Sequence, residues 1–189
     1  LWLISETHKR GMQFHAWMNP YRIATRSSAS SEFPELEETI PAEWVKDYNK
    51  VRIYNPALPE VRQRIADIVA DLLQKFDVDG IHFDDYFYPS LTSGESMNDN
   101  AEYQKYGSGQ GIANFRRANV DAMINKVRET IHAVRPNCLF SVSPQGNYDN
   151  DYNSMYCDVK KWSQNGMIDV LRGITAAKVW IRFTGACRL

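Results

Sequence analysis

Apolar positions along this chain switch between two periods. From Met12 to Met18 they alternate, placing Gln13, His15 and Trp17 on one face and Phe14, Ala16 and Met18 on the other, which is strand spacing. From Pro59 to Phe76 they recur every three to four residues. Val61, Ile65, Ile68, Val69, Leu72 and Phe76 form one stripe, with Pro59 and Glu60 suited to a first helical turn. Asp77 and Asp79 with Gly80 predict a tight turn. Ile81 and Phe83 then alternate with His82 and Asp84 as a second strand, ended by Pro89. A second long helix is predicted from Ile112 to Val134, with Val120, Met123, Ile124, Val127, Ile131 and Val134 inward and Arg135-Pro136-Asn137 as its stop. Cys138 to Ser143 reads as a third strand and Met167 to Leu171 as a fourth. Between them Ser154 can cap a shorter helix through Gln164, closed by Asn165-Gly166.

The remaining segments carry no clean period. Leu1 to Arg10 reads as the end of a helix stopping at Gly11, with its beginning expected upstream. Thr25 to Ser31 is Ser-rich and runs on through the acidic Glu35-Glu37-Glu38 stretch as a long loop. Trp44, Tyr48, Val51 and Ile53 suggest a small hairpin or irregular lid before Asn55-Pro56, and Ser90 to Gly111 is polar and long for a mere connector.

Strands separated by long helices predict an α/β fold with a parallel sheet. Polar, aromatic-rich loops follow three strands, whereas the loops leading into strands are short. That asymmetry suits a parallel (β/α)₈ barrel with its site at the carboxyl ends of the strands. A doubly wound sheet shares the asymmetry, but no Gly-rich phosphate loop follows any strand, which argues against nucleotide binding.

Composition narrows the partners. The 189 residues are 43% hydrophobic and 24% charged with a net charge of −1, so no global field favours nucleic acid or an anionic membrane. No apolar run is long enough to cross a membrane. Three cysteines, Cys138, Cys157 and Cys187, lack metal-ligand spacing and read as free thiols. The chain opens at Leu1 with no visible signal peptide, which leaves the compartment open. Neither a cofactor nor a resident metal is expected.

Three segments carry a family resemblance: His15-Ala16-Trp17-Met18-Asn19-Pro20-Tyr21-Arg22, Asp77 to Pro89, and Phe140-Ser141-Val142-Ser143-Pro144. With these the chain resembles the glycosyl-hydrolase-like 10 family of bacterial proteins. The resemblance implies a TIM barrel, hydrolysis of glycosidic bonds with peptidoglycan-type glycan strands as substrate, and a cell-envelope or extracellular location. It also implies that residues 1–171 form an incomplete barrel of about four central βα units, strands three to six of eight. Residues 172–189 are expected to be a tail unlike the family.

Glycosidic bonds are usually cleaved by two carboxyl groups. Asp84 is the leading choice, sharing the inward face with His82. Asp85 falls on the other face and serves as support or alternate. The partner carboxylate is expected from Glu32, Glu95, Asp149 or Asp151, or from strands outside this chain. His15 and His82 sit at inward positions on consecutive strands, as substrate ligands or as a satisfied interior pair. Asn19, Tyr21 and Arg22 are expected to orient sugar substituents, or else to brace the loop, and Gln145 is a further contact. Tyr86, Phe87, Tyr88, Trp17 and Tyr148 offer flat faces for pyranose rings. Two other readings are a metal-dependent hydrolase with His15, His82 and Asp84 as ligands, and a catalytically silent glycan-binding barrel or inactive fragment.

Overall fold

The computed structural model describes residues 1–84, 87–107, 109–171 and 181–182. Helix α1 (Trp2–Lys9) leads into strand β1 (His15–Met18). A hairpin region follows, with β2 (Arg22–Thr25), β3 (Val45–Asp47) and β4 (Val51–Tyr54) forming a separate antiparallel sheet in the order β2-β4-β3. Then come α2 (Pro59–Lys75), β5 (Gly80–Phe83), α3 (Asn100–Tyr106), α4 (Ile112–Val134), β6 (Leu139–Val142), α5 (Tyr148–Asn153), α6 (Val159–Gln164), β7 (Val170–Leu171) and β8 (Ile181–Arg182).

The main sheet has the order β1-β5-β6-β7-β8. Its first four strands are parallel neighbours and β8 runs antiparallel to β7. Because each parallel strand lies beside its predecessor without reversal, right-handed crossovers put the connecting helices on one face. That is the winding of a barrel and not of a doubly wound sheet. Among the described residues the sheet stays open, an arc of a (β/α)₈ barrel with β1 at its edge.

The core lies between the sheet and its helices. Ile81, Phe83, Phe140 and Val142 are at most 1% exposed, and the Phe83 and Phe140 rings meet edge to face at 5.1 Å. Helix α2 buries Val61, Ile65, Val69 and Leu73 as one i,i+4 ridge. The predicted stripe was too wide, since Ile68 and Phe76 lie on the flank at 37% and 39% exposure. Helix α4 buries Val120, Met123, Ile124, Val127 and Ile131 as its period required. It also buries Asp121, whose carboxylate accepts from Trp162 Nε1 and Lys161 Nζ, both at 2.6 Å, and so clamps α4 to α6.

Local chemistry redraws several boundaries. Asp79 ends no simple turn: its Oδ2 accepts from the Phe14 amide at 2.7 Å and pairs with His8 Nε2 at 2.8 Å. Asp169 does the same ahead of β7, accepting from the Phe140 amide at 2.8 Å. Each strand is thereby keyed to its neighbour at its amino end. Gly80 is the first residue of β5 and lies opposite His15, and a Cβ there would come within 2.4 Å of the His15 ring. The helix expected from Ser154 begins only at Val159, capped by the Asp158 side chain, and the loop before it holds the short α5, capped by Asn147, with Ser154 at its end. The loop from Ser90 to Gly111 contains α3, and Arg22 to Thr25 is strand because it pairs with β4. Cys138 and Cys157 are buried, and burial pushes the Cys138 thiol up to about 11. Residues 172–180 and 183–189, most of the expected tail, lie outside the described residues.

Candidate active site

The face of the sheet opposite the helices presents the polar residues. Alternation along β1 and β5 turns His15, Trp17 and His82 this way while Ala16, Met18, Ile81 and Phe83 pack toward the core. Trp17 is 73% exposed and meets the His82 ring edge to face at 5.9 Å. Nδ1 of His82 lies 2.7 Å from Ser141 Oγ, which in turn donates to the Ile81 carbonyl at 3.3 Å. His15 Nε2 faces Gln13 Oε1 at 3.4 Å, and burial lowers the His15 pKa against the opposing charge of Asp79.

Asp84 follows the last residue of β5 and is 7% exposed. Asn19, just past the end of β1, donates from Nδ2 to Asp84 Oδ2 at 3.1 Å, while its Oδ1 accepts from the Arg22 amide at 3.0 Å. One amide thus orients the carboxylate and turns the chain into β2. The ends of adjacent strands β1 and β5 are joined through polar side chains at the carboxyl edge of the sheet.

Other expected residues fall elsewhere. Tyr21 is 0% exposed and belongs to the hydrophobic core, with burial raising its pKa, so it has no open face to offer a sugar. Phe87 and Tyr88 are 1% exposed and pack edge-on against Trp162 and Tyr156, as core groups and not as open platforms. Tyr148 remains partly open beside Tyr152 and Lys160. Gln145 is turned to Asn150, whose Nδ2 donates to its Oε1, and its own amide donates to Asp151 Oδ1 at 3.0 Å. Asp85 and Tyr86 lie outside the described residues.

Among the four carboxylates weighed as partners, two brace loops. Asp151 is 1% exposed and holds the Gln145 amide. Glu95 accepts from the Asn49 and Thr92 amides at 2.6 and 2.8 Å; burial raises its pKa, but these bonds outweigh it and the net shift is downward. Glu32 and Asp149 are exposed. Among the described residues, no group of three or more His, Cys, Asp or Glu side chains is arranged to hold a metal ion, so His15, His82 and Asp84 do not form such a set.

Two clefts flank the segment after β5 and share Pro89 and Ser90. The first, about 330 Å³, lies against the hairpin and is lined by Asn19, Arg22, Arg26, Lys50, Ile53 and Phe87 among others. The second, about 470 Å³, is lined by Arg116, Asn150, Asn153, Ser154 and Tyr156 with their neighbours. Sequence reasoning did not single out Arg26 and Lys50. Their place beside the site depends on the hairpin folding back over the strand ends, which no local period reveals.

A family model described as glycosyl hydrolase-like 10 matches residues 2–181. The chain is 34% identical over 190 residues to glycosyl hydrolase YngK of Bacillus subtilis strain 168, covering 89% of this chain and 37% of that protein. It is also 34% identical over 194 residues to glycosyl hydrolase DigH of Escherichia coli strain K12, covering 89% of this chain and 44% of that protein. The chain therefore spans less than half the length of these relatives. Among solved structures, a cycloisomaltooligosaccharide glucanotransferase of Paenibacillus sp. complexed with cycloisomaltoheptaose superposes with a TM-score of 0.55 at 17% identity. The match covers 90% of this chain and 23% of that one, a likeness of fold alone.

Proposed function

Because the chain belongs to the glycosyl hydrolase-like 10 family, we propose that it forms part of the active site of a glycoside hydrolase acting on bacterial peptidoglycan-type glycan strands. The observation that carries this reading is the Asp84 carboxylate, buried at the carboxyl end of β5 and oriented by Asn19. In the proposed reaction, Asp84 is one of the two carboxyl groups that flank the scissile bond, either as proton donor to the leaving oxygen or as the group that attacks or activates water at the anomeric carbon. Asp85 supports it from the adjoining position. The second carboxyl group is assigned to a segment beyond this arc, since Glu95 and Asp151 spend theirs on loop amides.

The surrounding groups suit sugar recognition. His82, held through Nδ1 against Ser141, turns its ring to the open face as a polar contact for a sugar. Trp17, exposed beside it, offers an apolar plane for a pyranose ring. His15, Asn19 and Arg22 contribute further polar contacts. A location in the cell envelope or outside the cell goes with this substrate.

The test is release of reducing ends from purified glycan strands by the full-length protein. Asp84→Asn is expected to reduce turnover by at least about a thousandfold, the scale lost when an essential acid, base or nucleophile is neutralised. The far-ultraviolet circular dichroism should be unchanged. Near-full turnover by the variant removes Asp84 from the chemistry.

A further inference from the structure

Between the ends of β1 and β5 and the helices α2 and α4, buried polar groups gather that the proposed chemistry does not use. Tyr21, three residues past β1, is 0% exposed, and its hydroxyl has no hydrogen-bond partner among the described residues. A hydroxyl taken out of water without a partner is destabilising, and folded proteins rarely leave one so. Tyr88, five residues past β5, is 1% exposed and faces Asn119 of α4. Arg62 of α2 completes the group. Its Nη1 reaches the Pro56 carbonyl at 3.3 Å and Asn119 Oδ1 at 3.4 Å, both long for a charged donor, and no carboxylate pairs with it among the described residues. The backbone draws Tyr21 toward the same place, since its carbonyl accepts from the Tyr54 amide at 2.8 Å, two residues before Pro56.

Tyr21, Tyr88 and Arg62 each have a hydrogen to give. Arg62 can only donate, so Asn119 turns Oδ1 to it and Nδ2 to Tyr88 Oη at 3.4 Å, which leaves the Tyr88 hydrogen without an acceptor. Burial raises the pKa of both phenols, so they keep their protons and stay donors. The Arg62 charge opposes the rise in Tyr21, and Tyr21 adds to the rise in Tyr88, so the three lie within electrostatic reach of one another. Cys157, which Tyr21 also senses, donates its thiol hydrogen to the Met155 carbonyl at 3.5 Å, and Asp99, the acid that Tyr88 senses, is held by Arg116. A water molecule brings two hydrogens of its own to oxygens that already accept from Arg62 and Asn119. An anion brings acceptors alone and offsets the Arg62 charge.

We propose that Tyr21, Tyr88 and Arg62 form a binding site for a small monovalent anion, of the size of chloride. The two hydroxyls and the guanidinium donate to it. Held there, the ion ties the segments that follow β1 and β5 to α2. Asn19 lies two residues before Tyr21 and Asp84 four before Tyr88, so the ion braces the two strand ends that carry the candidate site. The inference stands apart from the glycoside hydrolase reading, because the site is read through stability.

The experiment follows thermal unfolding of the full-length protein while sodium chloride replaces sodium gluconate, an anion too large for the site, at constant ionic strength. The melting temperature is expected to rise saturably with chloride, as binding to the folded state alone demands. Tyr21→Phe keeps the ring and removes the unpartnered hydroxyl. It should melt at or above the wild-type temperature in gluconate and below it in chloride, with the midpoint of the chloride response raised about tenfold by the loss of one hydrogen bond to a charged ligand. Arg62→Gln, at a partly exposed position, should abolish the response. Equal melting of the wild-type protein in the two salts assigns the place to water and overturns the anion site. So does a chloride response that Tyr21→Phe and Arg62→Gln both leave unchanged, which is a general effect of the salt.

Discussion

Asn19 has two duties: it orients Asp84 and it turns the backbone into β2. Asn19→Ala is therefore expected to lower kcat on glycan strands by about 10- to 100-fold, because a carboxylate displaced by about an ångström loses its alignment. The melting temperature should fall only slightly, as one hydrogen bond is worth about 1 kcal/mol. Gly80 is a second sensitive point. Gly80→Ala puts a methyl group against the His15 ring and is expected to cost about 1–3 kcal/mol by overpacking, read in urea titration. Strand alternation was enough to turn His82 to the open face, because that rule is local. It does not reach Tyr21, Phe87 and Tyr88, which follow the ends of strands. There the direction of a side chain is set by what folds over it: the hairpin above Tyr21, Trp162 beside Phe87 and Tyr156 beside Tyr88.

The long helices and the parallel strands were legible because each carries its own period and its own stop signals. The small hairpin suggested around Trp44 to Ile53 is β3 and β4, whereas β2 and α3 were not legible, since β2 pairs with β4 across about thirty residues and α3 is anchored by tertiary bonds. The strongest of these anchors joins the loop before α3 to α4: Arg116 grips Asp99 with two bonds of 2.7 and 2.6 Å, and both side chains are largely buried. Asp99→Ala is expected to destabilise the protein by about 3–5 kcal/mol, because it leaves a buried guanidinium uncompensated. Asp79 gives a pH signature. Burial raises its pKa, but the Phe14 amide, the bond to His8 and the charges of His8 and His15 together bring it below the ordinary value of 3.8. A carboxylate with a depressed folded pKa contributes stability above its unfolded pKa, and that contribution is lost as pH falls through the folded one. Denaturant unfolding should thus show stability declining below about pH 4. Asp79→Asn should flatten that decline while lowering stability at neutral pH.

The arc as a whole leaves an edge. β1 pairs with β5 alone among the described strands, and Trp2, Leu3, Met12 and Trp17 near that edge are more than half exposed. A polypeptide of only these 189 residues is expected to self-associate in a concentration-dependent way, seen by light scattering, because unpaired strand edges with apolar neighbours template further pairing. That the sheet is an arc of a barrel was readable from the order of elements and from the short loops entering each strand. The carboxylate clamps at Asp79 and Asp169 give this architecture a further property. They fix strand alignment at the end of the sheet away from Asp84, so the connections that carry chemistry are not asked to hold the strands in step. Those connections can then be exchanged like cassettes. Replacing the segment between Phe83 and Ile112 with its counterpart from a relative should retarget the protein to another glycan while leaving the pairing of β1, β5 and β6 intact.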